Sequence, residues 1–95
     1  NAYYIAKEGG KHAGFLRNYA TRPVDQIRKG ISTIEQLIAE HHDKINNPEK
    51  YIRNFRELDP RQQETLLTQK WPADIQRQTE QLQILKGLLN ELLQQ

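Results

Sequence analysis

Between Pro23 and Ile45 the residues Val24, Ile27, Ile31, Ile34 and Ile38 recur at alternating three- and four-residue steps, and His41 takes the next place before Ile45. Such spacing lines one face of a long amphipathic helix with apolar side chains and turns that face toward the rest of the fold. At 1.5 Å per residue the segment spans roughly 34 Å. A histidine stands where the seam calls for an aliphatic group. An imidazole there is either a satisfied core group or a placed reactive one.

A second stripe of the same period runs through Ile75, Thr79, Leu82, Leu85, Leu89 and Leu92 to the C-terminus. Two long helices of matched length pack most simply as an antiparallel pair. The expected fold class is therefore all-α, a small helical bundle built on a long antiparallel hairpin with short packing helices. Chain length allows one core: 95 residues bury roughly 60–65% of their unfolded surface, so residues 1–95 are expected to form a single helical domain. Mean hydropathy is low, at -0.90, but the apolar residues gather in periodic stripes, which favours a thin bundle over disorder.

Proline and glycine mark the boundaries. Gly9, Gly10 and Gly14 punctuate the start, and residues 1–10 read as an irregular arm before a short helix over about 11–20. On that helix His12, Phe15, Leu16 and Tyr19 share a face. Thr21 offers an N-cap ahead of Pro23, and Asn46-Asn47-Pro48 ends the long helix. Asn47-Pro48 opens a short helix through Phe55. Asp59 caps another through Leu66, Leu67 and Trp71, with Gln62 placed to complete a capping box. Pro72 predicts a break or kink. Gly30 and Gly87 each weaken their helix by up to roughly 1 kcal/mol relative to Ala and leave room for close approach of backbones.

Charge is unevenly placed. Residues 1–30 hold Lys7, Lys11, Arg17, Arg22, Arg28 and Lys29 against Glu8 and Asp25, while the whole chain has a net charge of only +2. The basic end suits a salt-sensitive attraction to phosphate, or a solvated surface without a partner. There is no Cys, which removes disulfides and thiolate metal sites. There is no Met either, and a chain opening at Asn1 is expected to be a piece of something longer. No run approaches a membrane span and no segment reads as a signal peptide.

The chemistry rests on histidine. His12 and His41 both fall on apolar stripes, and His42 follows directly. If the short helix folds over the long one, the two imidazoles face a shared cleft with Arg17, Arg22 and Lys44 nearby. Paired imidazoles suit RNA cleavage, one removing the 2′-hydroxyl proton and the other protonating the departing 5′-oxygen. A cation beside them stabilises the phosphorane, and Tyr19 can add a hydrogen bond. No metal or cofactor is then required.

Other chemistries find less support. Helical metal ligands belong three or four residues apart, and those offsets from His41 and His42 hold no zinc ligand. Ser32 is the sole Ser and lacks a strand–turn–helix context. Gly9-Gly10-Lys11 lacks the glycine spacing and Lys-Ser/Thr pair of a phosphate loop. Trp71 reads as a core or hinge anchor, whereas Tyr3 and Tyr4 are the candidates for base stacking. Leu88 and Leu93 lie off the main seam and would serve a partner if exposed.

The order Gly10-Lys11-His12, Tyr19, His41, Lys44-Ile45, Pro48, Trp71 and a terminal apolar helix resembles the C-terminal toxin domains of bacterial polymorphic toxins, the class used in contact-dependent growth inhibition. The resemblance covers roughly residues 10–93. It implies a domain at the end of a larger secreted or cell-surface protein, acting in the cytoplasm of a target bacterium and neutralised by a cognate immunity protein. It further implies ribonuclease activity, often on transfer RNA. His12 and His41 would be catalytic with Arg17, Tyr19 and Lys44, and Lys11, Arg22 and His42 would hold substrate. Many ribonuclease toxins are α/β, whereas this chain reads all-helical. The alternatives are a helical module that binds nucleic acid or protein without cleaving it, and a DNase, which would want a carboxylate cluster for a metal.

Overall fold

The computed structural model describes residues 1–95, and every regular element in it is helical. The elements are α1 (Ala2–Lys7), α2 (Ala13–Ala20), α3 (Val24–Asn46), α4 (Pro48–Tyr51), a 3₁₀ turn at Phe55–Glu57, α5 (Pro60–Thr65), a π-helical turn at Leu66–Lys70, and α6 (Trp71–Leu93). The all-α expectation holds. No helix is long and apolar enough to cross a membrane.

The seam of α3 packs on α6. Ile27, Ile84 and Leu85 are fully enclosed, and Ile34, Leu88, Leu16, Tyr3 and Ala6 complete the main cluster. Each buried aliphatic side chain of this kind contributes about 1.5–3 kcal/mol relative to exposure. Gly30 lies beside Leu85, whereas His41, further along α3, meets Asp74 and Gln78, which come earlier on α6. The two helices therefore run in opposite directions. The molecule is long and thin, 54 × 25 × 17 Å, with a radius of gyration of 16.2 Å against about 13 Å for a compact domain of 100 residues.

Pro72 does not break the chain. The five residues before Trp71 form a π turn, in which the Trp71 N–H reaches back to the Leu66 carbonyl. This wider turn accommodates the proline ring, which in a regular α-helix would clash with the carbonyl four residues before it. Residues from Pro60 to Leu93 consequently make one continuous helix of 34 residues. Trp71 is buried and stacks on Phe55 at 6.2 Å between ring centroids, which is the anchoring role its sequence context suggests.

The N-terminal segment also differs from expectation. Residues 2–7 form α1, with the Asn1 side chain accepting from the Tyr3 N–H, and Tyr3 and Ala6 are buried against α6. The Tyr3 ring occupies the place a side chain at Gly87 would need. That glycine is a notch for a ring, so the close approach there is side chain to backbone. Tyr3 is thereby removed from base stacking, and Tyr4 is left exposed.

Capping shows smaller departures. Pro23, rather than Thr21, is the residue preceding α3. Asp59 caps α5 as its position suggests, accepting from the Arg61 N–H at 2.8 Å. Gln63, in place of Gln62, bonds back to the carbonyls of Leu58 and Arg56. On α6, Asp74 and Gln78 are buried between the apolar residues, which rotates the inner face away from Thr79. Leu88 is buried and Leu93 exposed.

Candidate active site

The turn after α1 is a glycine C-cap. Gly9 adopts φ +94° and donates to the Ala6 carbonyl at 3.0 Å, and the Gly10 N–H bonds to the Ile5 carbonyl at 2.9 Å. These are the two bonds of a Schellman motif. A Cβ at Gly10 would come 2.8 Å from Ile5 Cγ2 and 3.0 Å from its carbonyl oxygen, so both glycines are dictated by geometry. The chain leaves this turn with Lys11 and His12 aimed at α6.

His12 is not inside a helix. It is the N-cap residue of α2 and holds φ +69°, a left-handed conformation costing a non-glycine residue about 1 kcal/mol or more. Its Nε2 lies 2.8 Å from Glu80 Oε1, and Lys11 Nζ lies 3.0 Å from the same oxygen. The hydrogen bonds from His12 and then Lys11 hold the Glu80 carboxyl below the usual carboxylate range. Glu80 is thus ionised and accepts a hydrogen bond from Nε2–H, which in the neutral ring leaves the lone pair on Nδ1. That Nδ1 has no protein partner and is not among the sealed polar atoms, so it opens to solvent. The three side chains line a cleft of about 380 Å³ together with Gln76, Thr79 and Gln83 of α6, Ala2 and Ile5 of α1, and its cap Asn1.

His41 lies in a different environment. It is 8% exposed, and its Nδ1–H donates to the Leu37 carbonyl at 2.8 Å. Nε2 stands 3.4 Å from Asp74 Oδ2. Asp74 also binds Lys70 Nζ at 3.1 Å and Arg77 at 2.9 Å. Burial alone would raise the Asp74 pKa, but the bonds from Lys70 and Arg77 outweigh it and leave the group below its ordinary value. Gln78 is oriented with its amide nitrogen 3.5 Å from His41 Nδ1, leaving its own buried Oε1 without a partner. Turning that amide over matches acceptor to donor. His41 is therefore a buried group, bonded within α3 and facing Asp74 on α6.

The shared cleft expected for the two histidines is not formed. Their partners Glu80 and Asp74 are six residues apart on α6, roughly 9 Å along the axis and a third of a turn around it. His41 lines none of the grooves of the molecule, whereas His12 lines one. Lys44 belongs to the His41 end, 3.6 Å from Glu40 and 5.7 Å from the Tyr51 ring. His42 is exposed. Tyr19 and Arg22 stack on one another at the far end of α2, and Arg17 is exposed without an acidic partner.

No protein-family model matches this chain, and neither a curated protein nor a solved structure resembles it significantly. Glu80 was the residue that sequence reasoning missed, since one acid on a polar helix face carries no local mark of a partner 68 positions away. No three His, Cys, Asp or Glu side chains converge in a way that would hold a metal ion.

Proposed function

We propose that the chain is a toxin nuclease domain that cleaves RNA without a metal, with His12 as the base and Lys11 as its cationic partner. The carrying observation is the hydrogen bond of His12 Nε2 to Glu80 beside an open cleft, which leaves Nδ1 without a protein partner. A nitrogen so oriented can take the proton of a 2′-hydroxyl. The oxygen then attacks the adjoining phosphorus, the bond to the 5′-oxygen breaks, and a 2′,3′-cyclic phosphate remains. The 5′-oxygen is protonated from solvent. Lys11 lies close enough to Glu80 to face the same phosphate and offset the charge that grows on its oxygens.

The strained backbone of His12 agrees with a placed functional group. Delivery from a larger secreted or surface protein into a target bacterium, transfer RNA as substrate, and neutralisation by an immunity protein belong to the same proposal and rest on the motif resemblance. Purified domain incubated with total RNA in EDTA should give discrete fragments ending in cyclic phosphate. RNA that stays whole under all conditions sinks the reading. A second reading, RNA binding without cleavage, is favoured by one observation: Arg17, Arg22, Arg28 and Lys29 are free of ion pairs.

A further inference from the structure

We propose that the groove between α2 and α3 is a phosphate-binding site that grips the backbone of single-stranded RNA. It rests on the ribonuclease reading for its purpose, since it supplies a hold on substrate away from His12. The groove has a volume of about 410 Å³ and is lined by Tyr19, Arg22, Gln26, Lys29, Gly30 and Thr33.

Three features build it. The Arg22 guanidinium lies 4.1 Å from the centroid of the Tyr19 ring, and a hydrogen bond to the Asn18 side chain fixes it further. A fork held on two sides loses little freedom when it meets phosphate bidentately. Gly30 lets Tyr19 lie against α3, because a Cβ there would come 3.0 Å from the ring and 3.1 Å from its hydroxyl. Lys29 stands on the opposite wall, exposed and without an acidic partner, and Gln26 and Thr33 add neutral hydrogen-bonding groups.

The arrangement selects backbone over base. Phe15 packs against the Tyr19 ring at 5.1 Å and Arg22 covers it as well, so the ring is occupied and offers no stacking platform. It also selects RNA over a lipid surface. The exposed large apolar side chains, Tyr4, Ile5, Leu37 and Leu93, all lie outside the groove, which leaves nothing to enter a bilayer. α2 spans roughly 12 Å between His12 and this groove, so the groove lies within reach of a strand held at His12.

The test is anisotropy with a short 2′-O-methyl RNA, which lacks the attacking hydroxyl, at salt concentrations from about 50 to 200 mM. Arg22→Ala with Lys29→Ala should weaken binding roughly tenfold or more and lower the salt slope by about 1.4, the value for two lost contacts to a single strand. Arg22→Lys should recover the slope in part and the affinity less. Arg53→Ala with Arg61→Ala, which removes two unpaired cations elsewhere, should change affinity by about twofold at most. Equal losses in the two double variants, or an unchanged slope in the first, overturn the proposal. Vesicles of phosphatidylserine that bind as tightly as RNA and respond to the same substitutions overturn the choice of RNA. If RNA is bound through the groove but never cut, the groove stands and the ribonuclease reading alone falls.

Discussion

His12 Nε2 stands 2.8 Å from Glu80 Oε1, and the same oxygen receives Lys11 Nζ at 3.0 Å. One carboxylate thus fixes the ring orientation of the histidine and keeps a cation beside it. Glu80→Gln keeps the shape while removing the charge, so His12 loses its preference for Nε2–H and Lys11 is released. Cleavage should fall by roughly 10- to 100-fold, with thermal stability nearly unchanged because the group is partly exposed. Equal rates for the variant and the parent would show that Glu80 does not orient the base.

His41→Ala tests the opposite role. The substitution removes a buried ring, frees the Leu37 carbonyl of a bond and leaves Asp74 short of a neighbour. A loss of about 2–4 kcal/mol in urea denaturation is expected. Cleavage per folded molecule should be unaltered. A folded but inactive variant would return His41 to the reaction.

Acid should unfold the protein through depressed carboxylates. Hydrogen bonds from Lys50, Tyr51 and Asn47 lower the Asp43 pKa to about 2, and Asp74 is held low by Lys70 and Arg77 against its burial. Groups whose pKa is lower in the folded state give stability that is present above the unfolded value of about 3.9 and is lost as pH falls through the folded value. Denaturation monitored by helical circular dichroism should therefore become easier between about pH 4 and pH 2. Asp74→Asn should flatten that dependence at the cost of stability at neutral pH.

Gly87→Ala should unseat α1. The new methyl would overlap the Tyr3 ring, which has no room to retreat while α1 stays docked. A cost of about 1–3 kcal/mol follows from overpacking. Because the glycine turn carries Lys11 and His12 from α1 to α6, cleavage should fall along with protection of the α1 amides from hydrogen exchange. Loss of protection without loss of cleavage would uncouple α1 from the site.

Periodicity made the two long helices legible, because a 3.6-residue repeat of apolar side chains has few other solutions. The π turn was not legible. Pro72 reads as a break unless the preceding turn widens, and no single residue from Leu66 to Lys70 announces that. The first ten residues looked irregular because Gly9 and Gly10 suggest a loop, yet they are the C-cap of a helix too short to show a period. Asp74 and Gln78 on the inner face were invisible as well. Polar residues on a helix normally mark solvent, and only the position of His41 across from them reverses that inference. The histidines themselves were found, but their separation depended on which side of α6 each approaches.

One comparison of rates separates the two imidazoles by role. Cleavage of a single-stranded RNA in EDTA should be abolished in His12→Ala, with the helical circular dichroism retained, and should persist per folded molecule in His41→Gln. Cleavage that survives in folded His12→Ala would contradict the account.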